Sequence, residues 1–92
     1  MIRTFACRRT AAIFEGETPK GFSIELAKAA YIRLHQVDRA NYIEVLKTPP
    51  SNHLKQIQGY ANLWSIRVNQ QFRIVFRWVD NAAEDVQLLD YH

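Results

Sequence analysis

Arg67 and Arg73 flank the short segment Asn69-Gln70-Gln71, and the chain closes on Asp90-Tyr91-His92. These are the residues with chemistry to offer. Guanidinium groups hold phosphate and stabilise charge developing on phosphorus-bound oxygen, while carboxylate, phenol and imidazole can all move protons. A terminal tripeptide is a weak signal alone, because most chain ends are loosely ordered. Other chemistries find little support. The three histidines, His35, His53 and His92, share no metal-ligand spacing with one another or with Cys7. The three glycines are scattered, so no phosphate-cradling loop is present, and no serine sits on a nucleophile elbow. Cys7 stands beside Arg8 and Arg9, which can lower a thiol pKa, although a small core side chain is the commoner role.

The elements that must position the arginines read clearly. Trp64, Ile66 and Val68 alternate with Ser65 and Arg67, and Phe72, Ile74, Phe76 and Trp78 alternate with Arg73 and Arg77. That two-residue period predicts a pair of half-buried strands joined at Asn69-Gln70-Gln71, a hairpin loop lacking the usual glycine. Keeping the apolar faces together sets Val68 across from Phe72, and therefore Arg67 across from Arg73. Like charges in that position destabilise a sheet. An anion between them removes the conflict.

Charge distribution points the same way. The net charge is only +3, yet Val45 to Val79 contains no acidic residue while holding Lys47, Lys55, Arg67, Arg73 and Arg77. Asp80 to Asp90 then contains Asp80, Glu84, Asp85 and Asp90 without a base. A basic block on strands suggests a fixed positive surface for a polyanion such as nucleic acid, the alternative being a solvated sheet face. With 92 residues, 48% of them hydrophobic, one folded domain over 1–92 is expected. A single cysteine precludes an internal disulfide, and no segment approaches the roughly 20 apolar residues of a membrane span. A soluble cytoplasmic protein is the expectation.

In chain order, Met1 to Cys7 is expected to open as a strand and Arg8 to Phe14 to form a short helix. Ser23 caps a longer helix to about Val37, with Ala27, Ala30, Tyr31, Leu34 and Val37 as its buried stripe. Lys28, Arg33 and Gln36 fall on the other side. One more helical turn spans Tyr42 to Leu46, and Pro49-Pro50 ends it. A short strand is expected within His53 to Gly59, a turn over Asp80 to Glu84, and a last strand over Val86 to Tyr91. Helices first and an antiparallel meander afterwards argue for an α+β fold with helices on one face of the sheet. Arg67 and Arg73 would occupy the other face.

The run Trp64-Ser-Ile-Arg67-Val-Asn-Gln-Gln-Phe-Arg73-Ile-Val-Phe, followed by a strand ending in Asp90-Tyr91-His92, resembles the HigB branch of the RelE-like toxins, the plasmid-maintenance killer type. The similarity extends over nearly the whole chain. It implies a small α+β ribonuclease fold and a metal-independent enzyme, with no cofactor, that cuts mRNA in the ribosomal (70S) A site. It further implies a cognate HigA-like helix-turn-helix antitoxin, with operator DNA bound only through the toxin–antitoxin complex, and no membrane. On this resemblance Arg73 and Arg67 bind the substrate phosphate, with Arg73 stabilising the pentacovalent transition state. Asp90, Tyr91 and His92 form the acid–base group, and Lys55 and His53 join the RNA-binding set. The implied reaction is attack by the RNA 2′-hydroxyl on its own 3′-phosphate, releasing a 5′-hydroxyl.

One segment departs from the family pattern. Some members carry Leu-His-Pro-Leu-Lys-Gly before the hairpin, where this chain has Leu54-Lys55-Gln56-Ile57-Gln58-Gly59. Lys55 therefore replaces a histidine and Gln58 a lysine. A lysine ammonium binds phosphate but is a poor base at neutral pH. On a strand, His53 would lie on the same face as Lys55 but about 7 Å away, which makes His92 the main proton carrier. The departure also raises a second function, a catalytically weak or silent relative that blocks translation by occupying RNA or the ribosome. A DNA-binding regulator ranks last, because the bases lie on strands and no basic recognition helix is evident.

Overall fold

A computed structural model describes residues 1–90; Tyr91 and His92 lie outside the described residues. The order is α1 (Arg8–Phe14), α2 (Ile24–Arg39), 3₁₀ turns at Ile43–Lys47 and Pro50–Asn52, then β1 (Lys55–Gln56), β2 (Leu63–Arg67), β3 (Phe72–Val79) and β4 (Ala82–Asp90). The four strands form one antiparallel sheet in the order β1-β2-β3-β4, and both helices pack against it. This is the α+β arrangement expected from the sequence. No helix among the described residues is long and apolar enough to cross a membrane.

The core forms where the helical stripe meets the strand alternation. Ile66 and Ile74, Phe76 and Trp78, and Val86 and Leu88 from β2, β3 and β4 pack in one cluster with Ile13, Leu34 and Val37 from the helices. Ser23 accepts a 3.0 Å hydrogen bond from Leu26 N, which satisfies one open donor of α2 as a cap should. The stripe differs from expectation at Tyr31, which is 41% exposed and tilted against the His35 ring, while Leu26 is buried instead. His35 is a packing residue: its ring stacks on Phe14 at 4.3 Å, and its Nε2 lies 3.1 Å from the Phe14 carbonyl. Cys7 is half-buried at the N-cap position of α1. Its thiol is held below the ordinary range, first by the Thr10 backbone N–H and also by the Arg9 backbone and charge.

Met1 to Ala6 makes two bridges to β4, at Ile2–Ala83 and Phe5–Val86, instead of a continuous ladder. The pairing is parallel, and its four backbone hydrogen bonds of 2.8–3.1 Å cover the outer edge of β4. Ile2 N also donates to Asp38 Oδ1 at 2.9 Å, tying this strap to the end of α2.

Three expectations need correction. The segment 53–59 supplies only Lys55–Gln56 as strand, because His53 adopts a left-handed conformation (φ 46°) at the end of the second 3₁₀ turn. Pro49 and Pro50 end one 3₁₀ turn, but Pro50 then opens the next, a place where its missing N–H costs nothing. The β3–β4 turn is only Asp80-Asn81, both at positive φ as a tight primed turn requires, so β4 already begins at Ala82. A bulge sets Asp85 and Val86 against Phe76, between the Val75–Gln87 and Arg77–Glu84 pairs.

Candidate active site

The hairpin has the register that its alternation demands: Arg67 is paired directly with Arg73, and Ser65 with Val75. Val68 N donates to the Phe72 carbonyl at 3.0 Å, closing the loop. Asn69 supplies what the absent glycine does not. Its Oδ1 accepts from Gln71 N at 2.8 Å and Phe72 N at 2.7 Å, so the side chain stands in for a backbone turn.

On the sheet face away from the core, Arg67 and Arg73 line a cleft of about 310 Å³ with His53, Lys55, Asn69 and Gln70. The cleft is assembled from three strands and two loops. Lys55 enters because β1 pairs with β2, with Lys55 opposite Ser65. His53 enters from the loop and not along a strand, so an offset of two strand residues does not apply to it. Four of the residues singled out in the sequence, His53, Lys55, Arg67 and Arg73, thus line one cleft.

Arg73 is held in place. Its Nε donates to Ser65 Oγ at 2.9 Å and its Nη2 to the His53 carbonyl at 2.7 Å, which fixes the guanidinium plane between β2 and the loop before β1. Ser65 is 1% exposed and therefore a rigid acceptor. Arg67 Nε donates to the Asn69 carbonyl at 3.1 Å, and the Arg67 carbonyl accepts from Arg33 Nε of α2 at 3.3 Å. Arg33 and Gln36, read from the sequence as lying on the outer side of α2, therefore face the site-bearing elements. Gln36 Oε1 accepts from Asn52 Nδ2 at 3.0 Å, and the same amide donates to the Leu46 carbonyl at 3.1 Å and the Thr48 carbonyl at 3.4 Å. Fully buried, Asn52 clamps the loop that presents His53; its Oδ1 is buried without a hydrogen-bond partner among the described residues.

Electrostatics separate the arginines of this face. Arg77 is neutralised by Glu84 at 2.9 Å and Asp85 at 3.0 Å, both supplied by the start of β4 and its bulge. Among the described residues no carboxylate lies within ion-pair distance of Arg67 or Lys55. Glu84 and Asp85 of β4 are engaged with Arg77 and Arg3, at the end of the sheet away from the cleft.

Asp90 pairs with Phe72 across the β3–β4 ladder, one residue beyond the partner of Arg73, which is Leu89. Its Oδ2 accepts from Gln71 Nε2 at 2.9 Å, which ties the carboxylate to the hairpin loop, while the register puts Asp90 on the face of Phe72 and Leu89 on that of Arg73. Tyr91 and His92, expected in the acid–base group, lie outside the described residues. Sequence reasoning missed Ser65, Asn52, Arg33 and Gln71. For Ser65 a signal existed: strand alternation places it on the face of Arg67 and Arg73.

A family model of the RelE-like toxin HigB of type II toxin–antitoxin systems matches residues 5–92. The chain belongs to the HigB-like toxins. Toxin HigB-1 of Vibrio cholerae is 36% identical over 64 residues, covering 68% of this chain and 67% of that protein. An uncharacterized protein of Haemophilus influenzae is 30% identical over 74 residues, covering 79% of this chain and 73% of its own. As a HigB-like toxin of a type II system, the protein has a cognate antitoxin for a partner.

Proposed function

We propose that this HigB-like toxin is a metal-independent, ribosome-dependent endoribonuclease that cuts mRNA and so arrests translation and growth. The observation that carries this reading is the directly opposed Arg67–Arg73 pair, beside Lys55, in a cleft whose Arg67 and Lys55 have no carboxylate partner among the described residues. Two cations facing each other across a sheet suit a ligand with at least two anionic oxygens, and an RNA phosphodiester is such a group.

In the proposed reaction the 2′-hydroxyl loses its proton and its oxygen attacks the adjacent phosphorus. A pentacovalent phosphorane forms, the P–O5′ bond breaks, and the leaving oxygen is protonated. The products are a 2′,3′-cyclic phosphate and a 5′-hydroxyl. Arg73, pre-oriented by Ser65 and the His53 carbonyl, stabilises the charge on the equatorial oxygens, a task in which a fixed donor outperforms a mobile one. Arg67 and Lys55 bind the phosphate, and His53 stands close enough to the cleft to contribute. Asp90, Tyr91 and His92 supply the acid and the base. The substrate is mRNA in the A site of the 70S ribosome. A HigA-like helix-turn-helix antitoxin restrains the toxin in the cytoplasm and carries the complex to operator DNA, and residues 1–92 act as one domain.

The replacement of a family histidine by Lys55 favours a second reading, a weak or silent relative that blocks translation by binding alone. Mapping RNA 5′ ends after brief induction separates the two. Cleavage predicts new ends within translated regions for the wild type, lost in Arg73→Ala and in a protein lacking His92. Arrested translation with intact mRNA would establish the binding reading.

A further inference from the structure

Beyond the arginine cleft, the hairpin between β1 and β2 shapes a second depression of about 550 Å³, bounded by Lys55, Gln56, Gln58 and Tyr60. Lys55 lines both cavities and is the wall between them. Tyr60 is 65% exposed, more than any other aromatic residue described, and belongs to none of the core packing. Gly59, at φ +87°, reverses the chain before it, and Tyr60 N donates to the Ile57 carbonyl at 3.4 Å. The loop from Lys55 to Ala61 contains no acidic residue.

The order across the sheet is informative. Arg73 on β3 comes first, then Arg67 on β2, then Lys55 on β1, and the Tyr60 loop lies at the end of β1. Adjacent strands are about 4.8 Å apart, and Lys55 stands level with Ser65, about 7 Å along from Arg67. Arg73 to Lys55 therefore spans about 12 Å on a diagonal, roughly two nucleotides of an extended strand. A cationic track with an exposed aromatic at its edge is how proteins hold single-stranded nucleic acid. The cations follow the backbone, and the ring stacks a base whatever its identity.

We infer that the depression bounded by Lys55, Gln56, Gln58 and Tyr60 is a second nucleotide subsite, where a base flanking the scissile phosphate stacks on the Tyr60 ring. Lys55 bridges the two subsites by binding the phosphate between them. The amides of Gln56 and Gln58 offer both donors and acceptors to the edge of that base. This inference rests on the proposal that the arginine cleft takes RNA.

The test is binding to a short mRNA presented in the A site of 70S ribosomes, with 2′-O-methyl groups, which block cleavage, and 2-aminopurine placed at each A-site position in turn. For the wild type, one position should show strong fluorescence quenching on binding. Tyr60→Ala should abolish that quenching and weaken binding about tenfold, the effect expected of one stacked base, while Tyr60→Phe preserves both. Unchanged thermal unfolding of Tyr60→Ala would exclude a folding defect. RNA binding that depends on Arg73 but is indifferent to Tyr60→Ala would overturn the subsite and leave the cleft reading standing. Binding indifferent to Arg73→Ala as well, or no binding by the wild type, would overturn both.

Discussion

Ser65, 1% exposed on the strand between β1 and β3, accepts the Nε–H of Arg73 at 2.9 Å. A hydroxyl so placed sets the plane of the guanidinium without touching the substrate. Ser65→Ala should therefore leave substrate affinity nearly intact and lower the cleavage rate about tenfold, or about 1.4 kcal/mol of transition-state stabilisation. Single-turnover kinetics at several RNA concentrations would check this. An unchanged rate would show that the His53 carbonyl orients Arg73 without help.

Arg73 and Arg77 lie four residues apart on one face of β3, yet should respond oppositely to truncation. Arg73→Ala removes the donor aimed at the phosphate and should reduce activity by about 10²–10³-fold, enough to abolish growth inhibition with the fold intact. Arg77→Ala breaks an exposed network with Glu84 and Asp85 and should cost at most about 1 kcal/mol of stability. A plate assay of induced toxicity, with soluble expression confirmed, would distinguish them.

Phosphate binding by Lys55 and Arg67 should appear as salt dependence. Each contact made to a single strand contributes about 0.7 to the slope of log K against log salt. Lys55→Ala and Arg67→Ala should each flatten the slope by about that amount for non-cleavable RNA. Fluorescence anisotropy between low and moderate salt would measure it.

Asn52→Ala deletes a buried amide that serves the carbonyls of Leu46 and Thr48 and the side chain of Gln36. Stranding those acceptors should cost about 2 kcal/mol. For a domain of this size that lowers Tm by about 10 °C. Because the same loop carries the His53 carbonyl, activity of the folded variant should also fall. Thermal denaturation together with cleavage assays would test both effects.

Cys7 should alkylate at lower pH than an unperturbed thiol, since the Thr10 N–H favours its thiolate. The sign for stability follows. A lowered folded-state pKa contributes stability above the unfolded thiol pKa, and that contribution fades as pH falls through the folded value. Iodoacetamide rates against pH, for native and denatured protein, would reveal the difference in midpoints.

Much of the architecture was legible because it rests on periodicity. The alternation of Trp64–Val68 and Phe72–Trp78 leaves one register that keeps both apolar faces together, so the Arg67–Arg73 opposition follows from pattern alone. The Ser23 cap and the stripe of Ala27, Ala30, Leu34 and Val37 were legible too, Tyr31 being the exception, as was the basic face. Features set by single conformations were not. The left-handed His53 shortens β1, and the positive φ of Asp80 and Asn81 lets β4 begin early; Asp and Asn permit that geometry without demanding it. Nor does sequence separate Arg77 from Arg73, since the carboxylates that neutralise Arg77 are delivered by a bulge. The Asn52 clamp joins α2 to a proline-rich loop through contacts that carry no period.

The strap formed by the first six residues has a bearing on how the protein comes into being. Its partners are Ala83 and Val86, and the Thr4 and Thr10 hydroxyls accept from Asp85 N and Leu88 N. Residues early in this sequence thus wait for partners about 80 positions later. Until residues 82–90 emerge, the arginine hairpin has no β4 beside it and Gln71 has no Asp90 to hold. Long-range closure of this kind is slow to form and comes late in folding. A nascent toxin is therefore kept incomplete beside the very machinery it is proposed to attack.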